Sequence, residues 1–260
     1  MVSNINMPPR ATAVLVFSLG LGVRIPVILD AVSVGAQSQQ DAPFTDVLRR
    51  FQSTTFFWQQ LEVAKEIARI GDRRLLKELE PLLASEDRHV RGNAAFVFAG
   101  LGDPRGFETI REILTDRSYR RFGQGIPGGP SNPTAPDWWL ASQIKADRYY
   151  AVHLFGELKN PQAIDALIPL LDDKDINYHV AWALGEIGDR RAIPSLIAAL
   201  NDPAALVRVS AIQSLQKLNA TEALPQLRGL LNDQALPSAG DQISVGETAR
   251  AAIAILEHHR

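Results

Sequence analysis

Two groups of side chains in this chain are of types used in chemistry and recognition. The first is Arg117, Arg120, Arg121 and Phe122, followed by Gly-Gln-Gly-Ile-Pro-Gly-Gly-Pro-Ser-Asn-Pro-Thr-Ala-Pro and then Trp138-Trp139. Guanidinium groups fork onto carboxylates, and indoles supply large contact areas that keep one polar edge, a combination that dominates interface energetics. The second is a spaced set, Phe96, His153 and Trp182, which falls in one column with Lys65 and Gln213 once the internal repeats described below are aligned. Its three central members are expected to form a contiguous aromatic surface or to pack at the edge between neighbouring helices. The adjacent column, Glu62, Asn93, Tyr150, His179 and Ser210, is polar and is expected to be a solvated face, with His179 a surface residue.

No catalytic constellation can be assembled beyond these. Cysteine is absent, and there is neither a His-x-x-x-His pair with an acid between nor a His-Glu dipeptide. Thiol catalysis and the usual metal-ligand spacings are therefore not available. Gly123-Gln-Gly-Ile-Pro-Gly-Gly lacks the lysine and the following helix of a phosphate cradle, and Glu257-His258-His259 sits at a terminus that does not hold coordination geometry. On the residues alone, the expectation is no enzymatic activity, no cofactor and no metal.

The elements that must position these residues repeat along the chain. The segment from Tyr178 to Asp202 divides into two short amphipathic helices at Gly188-Asp189, and about five such units follow one another. Glycine takes the left-handed conformation that closes a helix, and aspartate caps the next one. Gly71-Asp72 and Gly102-Asp103-Pro104 repeat the joint. Lys159-Asn160-Pro161 keeps the capping Asn without the glycine, and at Asn219-Ala220-Thr221 the left-handed role falls to Asn219 and the cap to Thr221. Aligned on the joints, the second helices give three apolar columns: Leu76, Phe107, Ile164, Ile193, Leu224; then Leu79, Ile110, Leu167, Leu196, Leu227; then Leu83, Leu114, Leu171, Leu200, Leu231. The first helices add Ala64, Ala95, Ala181 and Ile67, Phe98, Phe155, Leu184, Leu215. A face so wide is covered only when neighbouring pairs stack.

The run Ala-Trp-Ala-Leu-Gly-Glu-Ile-Gly-Asp-Arg-Arg-Ala-Ile-Pro-Ser-Leu-Ile-Ala-Ala-Leu, with Val90-Arg91 and Val207-Arg208 opening other units, resembles the HEAT-like repeats named after the phycobilisome lyases. The resemblance covers roughly residues 55–258. It implies an all-α, right-handed α-solenoid of about five HEAT-like helix pairs, and it is shared by bilin lyases and scaffolds alike.

The joints of the second and third units lie much farther apart than the others, which places a Gly/Pro-rich insertion at 117–146, with a helix resuming at Asp137. At the N-terminus, Arg10 precedes an uncharged apolar stretch over 11–23, and Val34-Gly35-Ala36 leads into a polar run. That order is the pattern of a secretory signal. The expected organisation is thus a signal peptide over 1–36, a leader and capping helix over 37–54, and the solenoid over 55–260. Export to the periplasm or medium is expected, with an uncleaved membrane anchor as the alternative. A net charge of −2 gives no electrostatic footprint for nucleic acid. Together these features point to an exported, monomeric scaffold that binds another protein through the insertion (Arg117, Arg120, Arg121, Phe122, Trp138, Trp139) or through Phe96, His153 and Trp182. It would have no stable membrane span after cleavage. The alternative is a bilin-lyase-type enzyme or enzyme subunit whose arginines and aromatic column hold a tetrapyrrole; a structural spacer is a third reading.

Overall fold

A computed structural model of the chain describes the backbone of residues 14–18 and 24–28, residues 44–118, and residues 137–258, with side chains in the last stretch from 141 onward. The chain divides into two compact units, Met1–Gln52 and Ser53–Arg260. In the first, strands β1 (Val14–Ser18) and β2 (Arg24–Ile28) pair antiparallel, and residues 44–53 form helix α1. The expected cleavage site at Val34-Gly35-Ala36 lies outside the described residues.

The second unit is the repeat array. Its first helices are α2 (Phe57–Ile70), α4 (Arg88–Gly100), α6 (Asp137–Leu158), α8 (Asn177–Ile187) and α10 (Ala205–Lys217). Its second helices are α3 (Leu75–Leu79), α5 (Pro104–Thr115), α7 (Ile164–Leu167), α9 (Ile193–Ala199) and α11 (Leu224–Gly229), and α12 (Val245–His258) closes the chain. The array is an all-α solenoid of five helix pairs with a terminal helix. Several second helices are short because prolines such as Pro81 and Pro169 sit within them and remove a backbone donor, leaving 3₁₀ turns. The helix resuming at Asp137 is the longest of the array, at 22 residues.

The joints close by the chemistry expected of them. Gly71, Gly102 and Gly188 have φ of 77°, 74° and 79°, and the side chains of Asp72, Asp103, Asn160 and Asp189 each accept from a backbone N–H two residues on. Where glycine is missing, Lys159 and Asn219 themselves adopt φ of 51° and 50°. Lysine adopts this conformation less readily than glycine, and the Lys159 N–H donates to the Gly156 carbonyl at 3.3 Å. Thr221 does not cap: its helical turn starts after Ala220 with no side-chain cap.

The middle apolar column (Leu79, Ile110, Leu167, Leu196, Leu227) is fully enclosed, as are Ala64, Ala95, Ala181, Ile67, Phe98, Phe155, Leu184 and Leu215. The outer column is only partly covered at Leu83, Leu171 and Leu231, which face the rim of the array.

A recurring polar tie binds four of the five pairs internally. Asp116, Asp173, Asp202 and Asp233 follow successive second helices, and each caps the next turn through a backbone N–H. Each also accepts from a side chain of its own pair's first helix: Arg88 at 2.7 Å, Arg148 at 2.6 Å, Asn177 at 3.3 Å and Arg208 at 2.9 Å. Adjacent pairs are laced by arginines at the starts of second helices. Arg73 donates to the Leu101 carbonyl and Arg190 to that of Leu218, satisfying acceptors that a helix end leaves free.

Candidate functional site

The first helices bring together more aromatic side chains than the Phe96, His153 and Trp182 column contains. His153 of α6 stacks on Trp182 of α8, with ring centroids 5.0 Å apart and planes 5° apart. His179 stacks on Trp182 at 4.6 Å and on Tyr149 at 3.8 Å. Trp58 of α2 meets His153 edge-on at 4.8 Å and Tyr150 at 5.1 Å. Phe57 extends the set to His89 of α4 at 4.1 Å and to Tyr150 at 5.0 Å. The result is a continuous ladder across four first helices. Phe57, Trp58, His89, Tyr149, His153, Tyr178 and Trp182 are half-buried, so the ladder presents one aromatic strip to solvent, while Tyr150 and His179 lie beneath it.

Small residues make the strip possible. A Cβ at Gly156 would lie 2.7 Å from the Trp182 ring, so only glycine on α6 lets that indole lie flat against the helix. Beneath the strip, Asn93 donates to the Phe57 carbonyl at 3.0 Å and to Gln60 at 2.9 Å, and the Tyr150 hydroxyl donates to Asn93 Oδ1. This buried network fixes the first turn of α2 against α4 and α6. Burial pushes the Tyr150 hydroxyl far above its ordinary range.

The expectation of a solvated face at Asn93, Tyr150, His179 and Ser210 is therefore corrected, since all four are buried. An inner helix touches first helices on both sides, so a column one step off the apolar stripe becomes a seam between helices rather than a free surface. His179 is 6% exposed and is sandwiched by Tyr149 and Trp182. Phe96 is also buried, and Lys65 lies between Glu62 at 3.0 Å and Glu157 at 2.8 Å. Sequence reasoning missed Trp58 and Tyr149. Extending the joint alignment by one more residue would have placed Tyr149 and Tyr178 in a single column.

Desolvation lowers His179 from 6.5 to about 3, and the neighbouring His153 adds to the shift; His153 is itself lowered by burial. Both rings are thus neutral at pH 7. The unfolded chain takes up a proton near pH 6.5 that folded His179 refuses, so stability falls as pH drops from about 6.5 toward 3. Acidification from pH 6.5 to 5 should cost about 2 kcal/mol from this residue. Urea unfolding at both pH values is expected to show that loss in the native chain and a smaller one in His179→Phe; identical losses would contradict it.

Of the insertion residues, Arg117 is exposed and 3.6 Å from Asp173. The side chains of Arg120, Arg121, Phe122, Trp138 and Trp139 lie outside the described residues, so the structure brings Arg117 alone of this group to a defined position.

The family model of HEAT repeats matches residues 138–216 and 172–238, and that of the PBS lyase HEAT-like repeat matches residues 90–116. A bilin biosynthesis protein PecE from Mastigocladus laminosus is 32% identical over 152 residues, covering 57% of this chain and 49% of that protein. The phycocyanobilin lyase subunit alpha of a Nostoc species is 38% identical over 111 residues, covering 37% of this chain and 40% of that protein. The chain thus spans about half or less of the length of these relatives. A solved complex of CpcE and CpcF of phycocyanin lyase from Nostoc aligns at 29% identity and a TM-score of 0.36, covering 49% of this chain and 57% of that one. Relatives of these names overturn the expectation of a scaffold without catalytic connection, and with it the expectation that the chain is not enzyme-related. The array is thus built of HEAT-like repeats, that at residues 90–116 being of the kind named after the phycobilisome lyases.

Proposed function

We propose that this chain is a subunit of a bilin-lyase-type enzyme and that the aromatic strip on α2, α4, α6 and α8 is where it holds an open-chain tetrapyrrole. The observation that carries the proposal is the strip itself. A soluble protein rarely leaves so many aromatic edges together in contact with water unless they receive something, and a flat conjugated ligand gains by stacking on them. The names of the relatives supply the ligand class.

The residues around the strip can do more than stack. Glu157 lies 3.8 Å from His153 and 2.8 Å from Lys65, which places a neutral imidazole, a carboxylate and an ammonium in a row along one border. The imidazole can accept a proton and the ammonium can hydrogen-bond an anionic side arm. One of these relatives is named as a subunit, which favours action together with a second chain.

Mixing the purified chain with phycocyanobilin should give a saturable red shift and sharpening of its long-wavelength absorption. Trp182→Ala is expected to weaken the response about tenfold or more, in keeping with the roughly 1–3 kcal/mol of an aromatic stacking contact. Equal titrations of native and variant chains, with both folded by circular dichroism, would end this reading.

A further inference from the structure

We infer that a cavity between α5, α6 and α7 binds a carboxylate or phosphate group carried on a compact apolar body. The inference goes beyond the tetrapyrrole reading and does not rest on it. The cavity has a volume of about 330 Å³ and is lined by Arg111, Leu114, Thr115 and Arg117 of the second pair, Arg148 of α6, and Asp165, Ala166, Pro169 and Leu170 of the third. That volume is at the small end of ligand pockets. Its wall is apolar apart from three guanidinium groups, one threonine and one carboxylate.

The charges of this wall do not balance. Asp173 is shared by two arginines, Arg148 at 2.6 Å and Arg117 at 3.6 Å. Asp165 is turned to solvent and pairs with Arg191 at 3.6 Å, and Arg111 pairs with Glu108 on its own helix. Asp116 and Asp147 hold Arg88 between them and do not line the cavity. The side chain of Arg148 is 1% exposed. Its Nε donates to the Leu114 carbonyl and its Nη2 to Asp173, but its Nη1 is buried with no partner among the described residues. A desolvated guanidinium N–H without an acceptor is costly, and an oxyanion supplies the missing acceptor and the missing charge together.

The same groove one repeat further along serves as an internal control. It is of similar size, about 410 Å³, and is lined by Ile168, Pro169, Leu171, Asp172, Ser195, Ala198, Ala199, Asn201 and Asp202. In the joint alignment Ile168 stands where Arg111 does, Asp172 where Thr115 does and Lys174, which does not line the second groove, where Arg117 does; Arg148's place is taken by Asn177 in the next unit and by arginine in two others, Arg91 and Arg208. Stacking of the repeats thus requires a groove here but no arginines. Of these two grooves, this one alone is lined by arginines, and Arg111 and Arg117 are what sets it apart.

Calorimetric titration of the full chain at constant ionic strength tests the site, with benzoate, phenyl phosphate, inorganic phosphate and benzyl alcohol as probes. Benzoate or phenyl phosphate is expected to bind saturably at one site, at least about tenfold more tightly than inorganic phosphate, and benzyl alcohol is expected to give no saturable heat. Whichever of the two aromatic anions binds more tightly identifies the oxyanion. Arg111→Gln and Arg117→Gln, both at exposed positions, should each weaken binding about fivefold or more while melting like the native chain, whereas Arg190→Gln, outside the cavity, should not weaken it. No saturable binding of any anion, equal binding of the alcohol, or unchanged affinity in both cavity variants overturns the site. Inorganic phosphate binding as tightly as phenyl phosphate overturns the apolar part of the assignment.

Discussion

Replacing Leu167 by aspartate should unfold the centre of the array. Leu167 has no exposed surface, and its column recurs in every second helix as Leu79, Ile110, Leu196 and Leu227. The substitution removes about 1.5–3 kcal/mol of apolar burial and places a carboxylate where nothing can pair with it. The group would have to stay protonated or drag water inward, which brings the loss above about 4 kcal/mol, a large part of a typical domain's stability. In a repeat array each pair is held mainly by its neighbours, so the damage should centre on α6, α7 and α8 and leave the outer pairs less affected. Hydrogen exchange should show lost protection in residues 141–187 with residual protection in α10 and α12. A soluble variant with native melting and uniform protection would contradict the stacking account.

The second large effect is expected at Arg88. Its guanidinium donates to Asp147 at 2.5 Å, to Asp116 at 2.7 Å and to the Ser118 carbonyl at 2.8 Å, and its side chain is 3% exposed. Burial pushes the Asp147 carboxyl up, and the hydrogen bond from Arg88 offsets part of that rise. Burial acts on Asp116 in the same direction, but hydrogen bonds from Ser118 and Arg88 hold its carboxyl well below the ordinary range. Arg88→Ala leaves Asp147 buried without a counter-ion, and breaking a buried pair from one side costs about 3–5 kcal/mol. Arg88→Met with Asp147→Asn removes both charges and should recover much of that loss. In Arg88→Ala the Asp147 carboxyl rises further, so the deficit relative to the native chain should shrink as pH falls from 7 to 5. Urea unfolding of the three chains at both pH values measures this. A deficit below about 1 kcal/mol for Arg88→Ala, or one that grows on acidification, would show that the pair is not structural.

The array was legible in the sequence because its information is local. A glycine at a left-handed joint, an aspartate two residues before the N–H it caps, and apolar residues three and four apart specify a helix pair without reference to the rest of the chain. The site was less legible because it arises from packing between units. The distance from His179 to Tyr149 is set by how α8 lies on α6, and a column count on either helix gives no sign that a polar residue will be sandwiched there. The tie of Arg88 to Asp147 likewise joins residues on either side of the insertion, so no fixed spacing announces it. The aspartates at 116, 173, 202 and 233 were within reach, since they recur at one place after each of four joints. Their pairing with a first-helix side chain becomes plain only when the helices are in place.

The Arg88 clamp has one further consequence. A single guanidinium grips Asp116 and Ser118, just past the end of α5, and Asp147, midway along α6. The repeats thus tie together the described chain on either side of residues 119–136. Closing a longer loop between fixed ends adds only about 0.6 kcal/mol per doubling of its length. This makes the position a port: a fluorescent or affinity domain spliced between Ser118 and Asp137 would be carried by the array without having to hold it together.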